Sequence, residues 1–219
     1  MKRITIIGGG ASGTLLAVNL IKHSEENPIE INLVEKAWEI GCGVAYSTDQ
    51  NIHPLNVPAA KTGAFTDEIE HFHKWLAEND YDYAPDDFVP RKIYGEYLRE
   101  VFFDAITSKP HNVKLNLLDD KVIDVYTEED SALVLLESGE VLPSHKVVLA
   151  FGHFLPSNPP TKNEEYTASE KYFPALDLRA TPEGEIITRE NKRSNVIFTL
   201  GNALKGILRE STAMPKIPA

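Results

Sequence analysis

Six residues near the amino end have the clearest chemical meaning: Gly8-Gly9-Gly10-Ala11-Ser12-Gly13, directly after the apolar run Ile4-Thr5-Ile6-Ile7. The order is G-x-G-x-x-G behind a strand. The first glycine permits a tight turn, the second lets the backbone approach a pyrophosphate, and the third allows close helix–strand packing. A helix opening at Ala11 would point its unpaired N–H groups and positive dipole end at that anion. The spacing predicts a dinucleotide site held by Gly8, Gly10, Ala11, Ser12 and Gly13. Glu35 follows about 20 positions on, at the end of a second apolar run, where a carboxylate accepts hydrogen bonds from ribose hydroxyls. The same charge repels a 2′-phosphate. A bare G-x-G-x-x-G also occurs as a structural turn; the strand, helix, strand and acid around it favour the binding reading.

The elements that must hold these residues are legible in part. Apolar positions 11, 15, 16, 18 and 20 have helical spacing, and Asn27-Pro28 ends that pattern before a strand over Ile29 to Val34. The stretch from Gly41 to Ala60, rich in glycine and proline, is expected to be a long functional loop. Helices are predicted over Asp67 to Glu78, with Thr66 or Asp67 as N-cap, and over Arg91 to Ile106. From residue 112 the period becomes two. Val113 to Leu118, Lys121 to Thr127, Ala132 to Glu137 and Glu140 to Leu142 predict a small antiparallel meander. Lys146 to Phe151 is a continuous apolar run suited to a buried parallel sheet, and Asn195 to Leu200 forms a last apolar strand into Gly201. The fold class expected is α/β, Rossmann-like, with a central parallel sheet, helices and the meander.

Composition narrows the function classes. The 219 residues include 33 acidic and 22 basic side chains, for a formal charge of -11. That balance disfavours nucleic acid or an anionic membrane as main partner. One cysteine, Cys42, cannot form an internal disulfide, and no apolar run approaches the roughly 20 residues needed to span a bilayer. A cytoplasmic protein is expected. His71 and His73 diverge by about 200° around a helix and cannot share a metal, so no metal site is expected. His53 has a conceivable proton-transfer role, set against a simple loop-capping one. Cys42 reads as a small buried hydrophobe, without the C-x-x-C of a dithiol mechanism.

Several multi-residue motifs, taken in order, carry a family resemblance. Gly41-x-Gly43-Val44-Ala45-Tyr46, His53-x-Leu55-Asn56-Val57-Pro58-Ala59, Gly63-Ala64-Phe65 and Val89-Pro90-Arg91-x-x-Tyr94-Gly95-x-Tyr97-Leu98 are followed by Val147 to Gly152. The series closes with Leu200-Gly201-x-x-x-Lys205-Gly206-x-Leu208-x-Glu210-Ser211-Thr212-Ala213-x-Pro215. Together they resemble FAD/NAD(P)-binding, monooxygenase-like flavoproteins of the two-dinucleotide-binding-domain superfamily. The resemblance implies FAD as cofactor, with Glu35 and neighbouring Lys36 at the adenosine ribose and Val122 near the adenine. It implies Asn56, Val57 and Pro58 on the flavin side, Gly201 and Asn202 near the ribityl chain or pyrimidine end, and Gly152 among the cofactor-binding residues. Where many relatives have an aspartate after the closing glycine, Asn202 is neutral and cannot act identically. Arg91 has two readings: a fixed positive charge for a phosphate or flavin edge, or a helix-end partner for Asp86 or Asp87. Lys205 reads chiefly as a solvated helix residue.

The resemblance covers residues 1–155 and 195–217. Residues 156–194 hold no second glycine fingerprint and are too short for the NAD(P)H domain of longer relatives. The chain is therefore expected to be a single FAD-binding domain, 1–155 and 195–219, with 156–194 as connector. NAD(P)H would then serve only as a transient electron donor. The expected activity is that of a flavin-dependent oxidoreductase or oxygenase, or a subunit of one, acting on a small molecule or with a partner redox protein as a homo- or hetero-oligomer. A non-catalytic FAD module and, less in keeping with the motifs, an NAD-binding protein are the alternatives.

Overall fold

A computed structural model describes residues 1–24, 27–36, 40–152, 179–188 and 190–201. The glycine turn joins strand β1 (Lys2–Ile7) to helix α1 (Ala11–Lys22), and β2 (Ile29–Val34) follows. A short helix α2 (Gly43–Tyr46) and a single 3-10 turn at Ala59–Lys61 interrupt the glycine- and proline-rich stretch. Helices α3 (His71–Glu78) and α4 (Arg91–Thr107) lead into β3 (Val113–Leu118). The strands β4 (Val122–Thr127), β5 (Ala132–Leu136), β6 (Val141–Ser144) and β7 (Lys146–Leu149) come next, then β8 (Arg179–Ala180), β9 (Glu185–Ile187) and β10 (Arg193–Thr199).

The seven-stranded sheet has the order β3-β2-β1-β7-β10-β9-β8, and β4-β5-β6 form a separate antiparallel sheet. Strands β3, β2, β1, β7 and β10 are mutually parallel. Ile6, Ile31 and Leu33 turn one sheet face toward α1 and α4, where Val18, Ile21, Leu98 and Val101 complete the main core. On the other face Val34, Val147 and Val196 pack under Val134, Leu136 and Leu142 of the small sheet. Helices on one side and a meander on the other thus bury both faces of the parallel core.

Two expectations are corrected. Val113 to Leu118 belongs to the parallel sheet, paired with β2 from Ile29↔Val113 to Val34↔Leu118, and not to the meander. Its alternation reflects a polar row crossing the sheet on the meander side. Asn116 Nδ2 donates to Asn32 Oδ1 at 2.7 Å and to Glu30 Oε1 at 3.0 Å, and Lys114 Nζ donates to Glu30 Oε1 at 2.6 Å. The Lys114 bond is the main cause holding the Glu30 carboxyl below the usual range. The row ends where Thr5 and Ser144 share a 2.6 Å hydroxyl bond.

Helix α3 begins at His71, one turn later than the apolar spacing indicates: Glu68 N–H donates to Phe65 O at 3.2 Å in a tight turn, and the Asp67 carboxylate accepts from Lys22 Nζ at 3.2 Å instead of capping. Residues 179–187, within the expected connector 156–194, form a hairpin of β8 and β9 that adds an antiparallel edge beside β10.

Candidate dinucleotide site

Strands β1 and β7 lie side by side in parallel, yet the chain leaves β1 toward β2 and arrives at β7 from the meander. Ligands bind at such switch points, outside the carboxyl ends of the strands. The glycine turn occupies this one. Gly8 N–H donates to Val34 O at 2.9 Å and Ala150 N–H to Ile7 O at 2.8 Å, so the turn is held from both sides. Gly8 has φ +105°, and a Cβ there would lie 2.5 Å from Ala150 O. A Cβ at Gly13 would overlap the Gly8 carbonyl oxygen, so α1 and the turn meet in backbone contact.

Gly10 is the N-cap of α1. No side-chain oxygen caps this helix end and no acid stands in its first turn, which fits an anionic pyrophosphate. Gly201, just beyond β10, approaches so closely that an added Cβ would sit 2.7 Å from Ser12 Oγ. Gly152 follows β7 with φ +64° and open space around its Cβ direction. Gly8, Gly10, Ala11, Ser12, Gly13, Gly152 and Gly201 thus gather along the carboxyl edge of the sheet.

The residues expected near an adenosine assemble at the adjoining corner. Glu35 Oε2 accepts from Gly9 N–H at 2.5 Å, which ties the end of β2 to the turn after β1. Glu35 N–H donates to Leu118 O at 3.0 Å, and the chain from Leu118 leads within four residues to Val122, paired with Leu136. Lys36 Nζ lies 3.9 Å from Glu137, an exposed pair of little energetic weight. Glu35, Lys36 and Val122 therefore share one corner.

The residues expected on the flavin side sit on a loop built against the start of α4. Leu55 N–H donates to Val89 O at 2.8 Å, and Ala59 N–H to Asp87 O at 3.0 Å. Asn56 is exposed, and Val57 and Pro58 are half-buried. Arg91 takes neither Asp86 nor Asp87. Its backbone N–H donates to His53 O at 2.8 Å and its Nε to Pro54 O at 3.0 Å, so it anchors the loop bearing Asn56. Asp87 instead accepts from Ala84 N–H at 2.7 Å.

Helix α2 connects the two groups, through residues the spacing of motifs did not single out for roles. Thr14, fully buried, donates through Oγ1 to Gly9 O at 2.8 Å and accepts from Gly41 N–H at 3.0 Å. Gly41 N–H also reaches Gly9 O at 2.9 Å. A Cβ on Gly43 would meet Gly10 Cα at 3.2 Å, and one on Gly95 would meet Tyr46 O at 2.7 Å. The backbone of residues 41–46 is therefore clamped between the pyrophosphate turn and α4. Tyr46 packs on Tyr94 with ring centroids 5.0 Å apart. Burial raises the Tyr46 hydroxyl pKa while the nearby Arg91 charge opposes the rise. Burial likewise pushes that of Tyr94 well above its ordinary value, and the Tyr94 hydroxyl has no hydrogen-bond partner among the described residues. A threonine among apolar helix positions, and the Gly41-x-Gly43 spacing, were the available signals.

The remaining candidates have structural partners. His53 Nδ1 pairs with Thr48 Oγ1 at 2.9 Å, His71 Nδ1 with the Tyr97 hydroxyl at 2.7 Å, and His73 Nε2 with Tyr83 O at 3.1 Å. Cys42 is buried near Gly95. Among the described residues no three potential ligands converge as a metal site, and no helix is long and apolar enough to cross a membrane. Asn202, Lys205 and the rest of the closing motif, with most of 156–194, lie outside the described residues.

Residues 5–154, which include the glycine turn, Glu35 and the Asn56 loop, match the model of a family described as FAD-NAD(P)-binding. The chain belongs to the FAD-NAD(P)-binding family. A similar protein is the uncharacterized YdhS of Escherichia coli (strain K12), 24% identical over 189 residues that cover 80% of this chain and 34% of that one. Among solved structures the fold resembles an oxidized steroid monooxygenase bound to NADP (TM-score 0.50, 18% identity, 74% of this chain and 28% of that one). It also resembles an S-allyl-L-cysteine S-oxygenase from Allium sativum (TM-score 0.50, 19% identity, 72% and 38%). The chain thus spans about a third of the length of these relatives, and at such identities the structures speak for the fold alone. Rossmann-like α/β architecture, a largely parallel sheet and an added antiparallel sheet are common ground for this family member and those folds.

Proposed function

We propose that this chain binds FAD and serves as the flavin-holding part of an oxidoreductase or oxygenase acting on a small molecule. The observation that carries the reading is the convergence at one switch point of the uncapped α1 N-terminus, the carboxylate of Glu35 and the close approach of Gly201 to Ser12. The α1 N–H groups hold the pyrophosphate, and Glu35 accepts from the adenosine ribose while Gly9 N–H orients its carboxylate. Arg91 fixes the loop that presents Asn56. When bound, FAD supplies the electron-transfer chemistry, and the protein supplies orientation and electrostatics.

NAD(P)H fits as a transient electron donor, and a small-molecule substrate or a redox protein as the partner, with function as a homo- or hetero-oligomer in the cytoplasm. Nucleic acid and membrane are not partners in this reading. Residues 1–155 and 195–219 make up the FAD fold in this reading, and the connector 156–194 adds β8, β9 and the start of β10 to its sheet edge. The test is the visible spectrum of the purified protein, identification of released cofactor by mass, and anaerobic addition of NADH or NADPH. FAD that bleaches supports an oxidoreductase cycle. FAD that stays oxidised points to reduction by a protein partner or to a binding module, and absence of flavin after reconstitution overturns the assignment.

A further inference from the structure

A second cavity, of about 370 Å³, lies at the other end of α1, between its last turn and the C-terminal half of α4. Its floor is apolar, formed by Val18, Ile21, Val101 and Ala105. Its two walls differ in charge. On one, Phe65 stands between Lys22 and His71: Lys22 Nζ lies 4.3 Å over the Phe65 ring, and the His71 ring meets its edge with centroids 4.9 Å apart. On the other, Asp104 presents a carboxylate with no hydrogen-bond or ion-pair partner among the described residues.

The His71 ring is oriented from below. Ala64 N–H donates to the Tyr97 hydroxyl oxygen at 2.9 Å, and the same hydroxyl lies 2.7 Å from His71 Nδ1. In the tautomer in which Tyr97 donates to Nδ1, His71 carries its proton on Nε2, and Nε2 has no partner among the described residues. Lys22 is engaged by Asp67 at 3.2 Å in an exposed ion pair that a ligand can share. Two donors and one acceptor thus line the same cavity beside an apolar floor.

We propose that this cavity binds a small zwitterion with a short apolar body, an aliphatic α-amino acid, its carboxylate on Lys22 and His71 Nε2–H and its ammonium on Asp104. A neutral apolar ligand would leave both walls unused. A simple carboxylate would face Asp104 uncompensated, and a simple amine would face Lys22.

The test is calorimetric titration of the full chain with L-leucine, alongside 4-methylpentanoate and 3-methylbutylamine, which each lack one of the two charged groups. Saturable leucine binding is expected, at least tenfold tighter than either analogue. Asp104→Asn and Lys22→Gln, both at exposed positions, should each weaken leucine about tenfold and leave flavin content unchanged. A His71→Gln variant, whose amide can still accept from Tyr97, should retain most of the binding. Absence of saturable leucine binding, equal binding of all three compounds, or unchanged affinity in Asp104→Asn would overturn the proposal, and none of these results bears on the FAD site.

Discussion

Gly9 N–H donates to Glu35 Oε2 at 2.5 Å, so the acid at the end of β2 is fixed by the turn it is meant to serve. One oxygen of the carboxylate is committed to the backbone, and the group's orientation is set before any ribose arrives. Such prior ordering lowers the entropic cost of binding.

Glu35→Ala should weaken FAD binding about tenfold, the loss of roughly 1.4 kcal/mol expected for a charge-assisted bond. Glu35→Gln keeps an acceptor for Gly9 N–H and should fall between. Titration of apoprotein with FAD, followed by flavin fluorescence, measures both.

Gly10→Val tests the pyrophosphate position. A single Cβ there meets only Gly43 Cα, at 3.6 Å, so the fold tolerates it, while the branched methyls project toward the helix N-terminus and its anion. Flavin content should drop to near zero with the far-ultraviolet spectrum preserved. Normal flavin content would overturn the site assignment.

Thr14→Val removes the hydroxyl that joins Gly9 O to Gly41 N–H without changing side-chain shape. The direct Gly41–Gly9 bond survives, so the expected cost is about 1–2 kcal/mol of folding stability, read from the urea midpoint. Weaker FAD binding should accompany it, because residues 41–46 are seated on the pyrophosphate turn.

Gly95→Ala places a methyl 2.7 Å from Tyr46 O and 3.2 Å from Cys42 Sγ. Overpacking of this kind costs about 1–3 kcal/mol. The expected signature is a lower urea midpoint with looser α2 packing, seen as faster amide exchange over residues 43–46.

Alkaline pH should unfold the protein through its buried tyrosines. Burial raises the hydroxyl pKa of Tyr94 and Tyr97 above the ordinary value, so the folded state keeps protons that the unfolded state releases near pH 10. Their contribution is fully present below about pH 10 and is lost as the pH rises further. Tyr94→Phe should flatten that decline. It also removes a buried hydroxyl without a partner among the described residues, so at neutral pH it should be neutral or stabilising by up to about 1 kcal/mol. Urea unfolding on either side of the transition measures both effects.

The glycine turn, α1, β2 and Glu35 were legible because each depends on neighbours within a few residues: a backbone without Cβ at Gly8 and Gly13, and helical spacing after Ala11. Val113 to Leu118 was misplaced because alternation marks a strand but not its partner. The polar row through Lys114 and Asn116 imitates a solvent-facing meander while it bonds to Glu30 and Asn32. Asp67 reads as a cap from its type and place, and only the fold brings Lys22 close enough to claim it. The β8–β9 hairpin has too few residues for any period to show.

By itself, the sequence determined that a turn able to approach a pyrophosphate sits between a strand and a helix, and that an acid follows at the distance of one βαβ step. Those properties are local, set by sterics and spacing. The tertiary structure alone decided that Arg91 holds the Asn56 loop instead of pairing with Asp86 or Asp87, and that Thr14 and Gly43 lock α2 onto the glycine turn. These contacts join residues far apart in the chain, and they form only when burial of both sheet faces has fixed which strands are neighbours.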